Sequence, residues 1–293
     1  MDVMSRIDQA LRRALNAGAA ADAPPRLVAA VRHAVFPGGA RVRPRLCLAV
    51  AHACGDDDPG LSDACAAAIE LIHCASLVHD DLPCFDDAAM RRGQPSVHAA
   101  FDERLAVLAG DALIVLAFQA MGAAGVRTPQ RLPVVLGTLA RGVGMPTGII
   151  AGQAWECEPS VSLTDYQRAK TGALFAAATM LGAEAAGADS RPWCALGEWL
   201  GQAYQVADDI LDVVADPALL GKPTGRDHAL HRPSSARELG LSGAVRSFQR
   251  LIDRAVDSVP PCPREEQFRM LVRMESERLI PEALCTDLLR EAA

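Results

Sequence analysis

Two clusters of aspartate sit at the ends of apolar, helix-forming stretches of this chain, and that juxtaposition restricts the fold more than any other feature. The first, His79-Asp80-Asp81-Leu82-Pro83-Cys84-Phe85-Asp86-Asp87, follows an apolar run from Ala64 to Val78. The second, Gln205-Val206-Ala207-Asp208-Asp209-Ile210-Leu211-Asp212, is itself flanked by Val, Ala, Ile and Leu. Carboxylates crowded at the C-terminal end of a buried helix lie where the helix dipole already disfavours negative charge, so a cation must neutralise them. Pro83 cannot continue the first helix, which predicts that Asp86 folds back towards Asp80. On a helix Asp208 and Asp212 are one turn apart, about 6 Å along the axis, and point to one side. A solvated acidic face is the alternative for either cluster alone, and the apolar flanks weigh against it.

The remainder of the chain reads as helix throughout. Half of the 293 residues are hydrophobic but only 4% are aromatic, and Ala/Leu/Val/Arg/Glu stretches outnumber β-branched runs. Val3, Ile7, Ala10, Leu11 and Leu15 recur at helical spacing. Further helices are predicted from about Ser62 to Leu82, Phe101 to Gly122, Gln130 to Val143, Gly148 to Cys157, Ser162 to Gly187, Pro192 to Val214, and from Gly243 to the end with a break at Pro260-Pro261-Pro263. With no repeat or long linker, the expectation is one all-α domain spanning residues 1–293. Asp56-Asp57-Asp58, with Gly and Pro on both sides and no cation nearby in sequence, reads as a solvated turn rather than a metal site.

Composition narrows the function classes. The net charge is −7 and no Lys/Arg block forms a phosphate-binding stripe, which argues against nucleic acid. Nine cysteines, with no C-x-x-C pair, fit reduced residues of a cytoplasmic protein. No signal peptide is evident, and the apolar stretch Leu105–Met121 is interrupted by Asp111 and Gln119, so no transmembrane segment is expected.

Oxygen-only ligands favour Mg²⁺ over zinc, and Mg²⁺ held by carboxylates commonly bridges to substrate phosphates. Cations accompany both clusters: Arg91-Arg92-Gly93 follows the first, Lys222 the second, and Lys170-Thr171-Gly172 lies between. Of 29 basic residues only Lys170 and Lys222 are lysine, which suggests sites wanting a compact ammonium. There is no G-x-x-x-x-G-K-[ST] loop for a nucleotide. A diphosphate on an apolar carrier remains.

Over nearly its whole length the sequence resembles the trans-isoprenyl diphosphate synthases. The two aspartate clusters match that family's two aspartate-rich motifs. Gly38-Gly39-Ala40-Arg41-Val42-Arg43-Pro44, Lys170-Thr171-Gly172-Ala173-Leu174-Phe175 and Leu220-Gly221-Lys222 match its other motifs in order. The resemblance implies an all-α bundle around a deep central cavity, usually a homodimer, that elongates an allylic diphosphate with isopentenyl diphosphate. It implies Mg²⁺ on Asp80, Asp81, Asp86, Asp208, Asp209 and Asp212. It places Arg91, Lys170, Thr171, Gln205 and Lys222 on the allylic diphosphate, and Arg41, Arg43, His73 and Arg92 around isopentenyl diphosphate. Without the resemblance His73 suits a core histidine and Gln205 a buried amide equally well.

One position departs from the family: Ala40 stands where a lysine ligand of isopentenyl diphosphate is common. The Gly38–Arg41 entrance and the stretch from Arg232 to Glu238 look most like geranylgeranyl diphosphate synthases that supply carotenoid and bacteriochlorophyll tails in photosynthetic bacteria. A C20 product is expected because Ala75 and Ser76, one turn before Asp80, are small, which leaves Ile72 and Leu71, or a residue near Phe118, as the floor. A farnesyl (C15) synthase, a terpene cyclase and a catalytically silent partner subunit are the competing expectations.

Overall fold

The computed structural model describes residues 2–20, 22–36, 38–160, 162–214, 235–280 and 285. Helices dominate them, and three of the longer ones begin on a capping aspartate, Asp2, Asp58 and Asp102. Asp2 caps α1 (Val3–Gly18), and Asp102 caps α6 (Glu103–Ala124) by accepting the Leu105 N–H at 2.8 Å. Pro25 and Pro59 open α2 (Pro25–Val35) and α4 (Pro59–Asp80), where a missing N–H costs nothing. Between these, α3 (Val42–Cys54) ends at Gly55, whose φ of 102° suits glycine.

The remaining described helices are α5 (Val97–Ala100), α7 (Leu132–Val143), α8 (Ile149–Ala154), α9 (Leu163–Gln167), α10 (Ala173–Ala185), α11 (Cys194–Val214), α12 (Ser235–Asp257) and α13 (Glu265–Leu279). One core joins α1, α2, α4, α6 and α7 to a face of α10; a second joins α11, α12 and α13 to Val50, Ala53 and Ala183. Helices α3 and α10 contribute to both. Close approach there depends on Gly182, where a Cβ would stand 2.3 Å from the Cys47 carbonyl oxygen.

Over the described residues the observed helices follow the expected ones, with three differences; of the helix expected to run to the end, the part beyond Ile280 lies outside the described residues apart from Cys285. The long helix expected from Ser162 to Gly187 is broken by a π-helical turn at Arg168–Gly172, a local widening that hydrophobic periodicity does not register. The last region starts earlier, at Ser235, and kinks at Gly240, whose φ is 68°. A two-residue hairpin, Met90–Arg91 against Gln94–Pro95, turns through Arg92 and Gly93 with φ of 53° and 76°.

Among the described residues two helices, α4 and α6, are long and apolar enough to cross a membrane. Asp111 and Gln119 therefore do not exclude α6 on composition. Inside the protein 78% of the most apolar window of α4 is buried, against 39% for α6, which leaves Val107, Leu108 and Val115 exposed.

Candidate active site

The end of α4 delivers the first cluster and the chain then doubles back. Asp80 is the last helical residue, and the Asp86 N–H donates to the Asp80 carbonyl at 2.9 Å. The Asp81 side chain turns inward, where Arg91 grips it through Nε at 3.0 Å and through Nη2. Burial pushes the Asp81 carboxyl above its usual range despite that partner. Asp86 is half-buried.

Arginines gather beside this cluster. The hairpin supplies Arg91 and Arg92, and the first turn of α3 supplies Arg43, whose guanidinium lies 4.5 Å over the Phe175 ring and 5.6 Å from that of Tyr204. Arg43 is buried, and its Nε has no hydrogen-bond acceptor. Burial also lowers its pKa from the ordinary arginine value. His73, half-buried on α4, is held well below the usual histidine range by burial and then by Arg43, Arg92, Arg91 and Arg41, so it is neutral at pH 7. Of these four guanidiniums, Arg91 is paired with Asp81 and Arg41 with Glu70.

Arg41 behaves differently from its neighbours. At φ 51° it turns into the core, where Nη1 donates to Glu70 Oε1 at 2.5 Å and Nη2 to the Val35 carbonyl at 2.8 Å. Its side chain is 1% exposed, so it braces the entrance and does not face the cleft. Gly38 and Gly39 permit this: a Cβ would stand 2.2 Å from the Arg41 guanidinium at the first and 2.9 Å from Arg92 Nε at the second. Ala40 is exposed.

The π turn joins the two acidic segments. Lys170 Nζ is 3.6 Å from Asp80 Oδ1, while the adjacent Thr171 hydroxyl donates to Gln205 Oε1 at 3.1 Å on α11. Gln205 Nε2 in turn donates to Asp209 Oδ1 at 3.0 Å, and Asp209 Oδ2 accepts the Ser235 N–H at 2.7 Å where α12 begins. Asp209 is 1% exposed and Asp208 and Asp212 are half-buried. Each cluster thus turns one aspartate inward as a brace. Lys222 lies outside the described residues.

The three residues expected to bear on chain length, Ile72, Ala75 and Ser76, all lie on α4. Ala75 and Ile72 are each 2% exposed, while Ser76 is half-buried with its hydroxyl on the His73 carbonyl at 2.9 Å. Sequence patterns do not single out four supporting side chains: Glu70, Glu156, Tyr166 and Tyr204. Glu70 does carry a signal, because a lone carboxylate inside the apolar run Ala64–Val78 requires a partner.

Among the described residues no three His, Cys, Asp or Glu side chains converge as a ready-made metal cage. The donor set still suits a hard cation, since Mg²⁺ uses one or two carboxylates together with substrate phosphate oxygens.

Residues 24–255 match the polyprenyl synthetase family model. The chain belongs to the polyprenyl synthetase family. Among its relatives in this family are geranylgeranyl diphosphate synthases of Cereibacter sphaeroides, 51% identical over 94% of this chain and 96% of the other, and of Rhodobacter capsulatus, 46% identical over 96% and 97%. A solved polyprenyl synthetase relative, a geranyltransferase from Helicobacter pylori complexed with magnesium and isoprenyl diphosphate, superposes with a TM-score of 0.81 at 30% identity, covering 94% of this chain and 96% of that one. The fold is the all-α isoprenoid synthase fold.

Proposed function

We propose that this chain is a Mg²⁺-dependent trans-prenyltransferase that condenses isopentenyl diphosphate with an allylic diphosphate to give the C20 geranylgeranyl diphosphate. The observation that carries this reading is the meeting, at Lys170 and Thr171, of two acidic segments, with Arg91 of the hairpin bound to the first. Similarity to geranylgeranyl diphosphate synthases over nearly the full length supports the C20 product.

In this reading Asp80, Asp86, Asp208 and Asp212 hold the metal, and Asp81 and Asp209 fix the geometry around it. Bound there, Mg²⁺ supplies positive charge to the allylic diphosphate. Lys170, Arg91, Thr171, Gln205 and Lys222 surround the same group, and their attraction grows as the carbon–oxygen bond ionises and charge develops on the leaving oxygen. Arg43, Arg92 and His73 hold isopentenyl diphosphate, with the acceptor-less Arg43 Nε suited to a phosphate oxygen. The double bond of that substrate attacks the allylic carbocation, and the departing diphosphate takes the proton lost. Apolar walls exclude the water that would quench the cation.

The exposed apolar face of α6 favours a homodimer, and the protein is read as cytoplasmic. Incubation with labelled isopentenyl diphosphate and an allylic primer, with and without Mg²⁺, tests the reading. Linear C20 diphosphate formed only with metal is the expected result; cyclic hydrocarbons mean a cyclase, and no turnover means a silent subunit. Ala75→Phe is expected to shift the main product to C15 with the first condensation retained. An unchanged C20 product would place the floor elsewhere.

A further inference from the structure

Glu156 is a negative charge at the edge of a site meant for diphosphates, and the condensation gives it no task. Its carboxylate is nevertheless tightly built in. Oε1 accepts from the Tyr166 hydroxyl at 2.6 Å and from Lys170 Nζ, and Oε2 accepts from Gln153 Nε2 at 3.1 Å. Gly152 on α8 brings these groups to the π turn, because a Cβ there would stand 2.3 Å from the Lys170 backbone nitrogen.

The Lys170 ammonium therefore stands between two carboxylates, bonded to Glu156 and 3.6 Å from Asp80 Oδ1. An ammonium that settled on Asp80 would compete with a divalent cation for the same oxygens. We propose that Glu156 is a positioning residue that holds Lys170 off Asp80 before substrate enters, so that metal reaches Asp80 and the ammonium waits beside the incoming diphosphate. The inference rests on Asp80 being a metal ligand.

Binding of Mn²⁺ to the full-length protein without substrate, read from the free-ion paramagnetic resonance signal, separates the two ideas. Wild type, Asp80→Asn, Glu156→Gln, Glu156→Asp and the double variant Glu156→Gln/Lys170→Met are compared. Glu156→Gln is expected to weaken binding about fivefold, the scale of a partly exposed ion pair. Glu156→Asp is expected to stay near wild type, and the double variant to recover it. Wild-type affinity in Glu156→Gln, with Asp80→Asn weakened, overturns the inference alone. A double variant as weak as the single one also overturns it, because Glu156 would then act as a ligand or through the fold. If Asp80→Asn binds as wild type does, the metal assignment fails and the inference with it.

Discussion

Aspartates crowd both ends of helix α4, Asp56, Asp57 and Asp58 before its start and Asp80, Asp81, Asp86 and Asp87 at and beyond its last turn, and the two ends treat them in opposite ways. Before its first turn, Asp56 accepts from Arg6 at 3.2 Å and Ser62 at 2.9 Å, Asp57 is gripped by both terminal nitrogens of Arg131, and Asp58 caps the helix while accepting from Thr128 at 2.8 Å. These charges sit where the helix dipole favours them. Past the last turn the dipole opposes Asp80, Asp81 and Asp86, and Arg91 grips Asp81 while Lys170 divides its attention between Asp80 and Glu156. An acidic cluster at a helix start is structural until shown otherwise; one at a helix end needs a cation brought to it.

The sharpest way to break this comparison is to remove a carboxylate from the cation-demanding end. Asp80→Ala, and Asp208→Ala in the second cluster, are expected to lower turnover by several orders of magnitude while the helical circular dichroism stays intact. Loss of a single electrostatic contact in such sites commonly costs about 10²-fold or more. Turnover above roughly a tenth of wild type in either variant would sink the metal assignment.

At the other end the expected phenotype is reversed. Asp58 is 1% exposed and satisfies both Thr128 and the helix start, so Asp58→Ala is expected to cost about 1–2 kcal/mol of stability, the upper range for a lost cap. Turnover per folded molecule should not change. Chemical denaturation paired with initial rates measures both, and a catalytic loss without a stability loss would erase the distinction.

The same contrast explains which parts of the molecule can be read from sequence. Helix periodicity and both aspartate clusters are local patterns, and so is the fold-back after Pro83, which the Asp86–Asp80 backbone bond bears out. The Asp56–Asp58 turn is only partly solvated as expected: Asp57 is exposed, but Asp58 is buried and Asp56 half-buried, and the partners Arg6 and Arg131 arrive from 50 and 74 residues away. Arg41 illustrates the same limit in the other direction. It looks like its neighbours Arg43 and Arg92 in sequence, but a left-handed backbone and Glu70 send it into the core. Glu156 is invisible in sequence because its meaning depends on Gly152 packing against the π turn.

The smallest effect expected is a difference in the sign of pH dependence between the two ends. Hydrogen bonding from Arg131 holds the Asp57 carboxyl below its usual 3.8. Its contribution to stability is therefore present above that value and lost as pH falls through the lower, folded one. Burial raises Asp81 above 3.8 even with Arg91 attached, so its contribution is present below the unfolded value and lost as pH rises through the folded one. Urea unfolding between about pH 3 and pH 7, on either side of these values, reads both in Asp57→Asn and Asp81→Asn. The stability advantage of wild type over Asp57→Asn should shrink towards acid, whereas that over Asp81→Asn should shrink towards neutrality. Arg91 keeps an acceptor in the Asp81→Asn variant, because the carbonyl oxygen of the introduced amide can still take one N–H, so the comparison isolates charge from hydrogen bonding. If both differences move the same way with pH, burial does not dominate at the C-terminal end of α4, and the two ends of the helix are electrostatically alike.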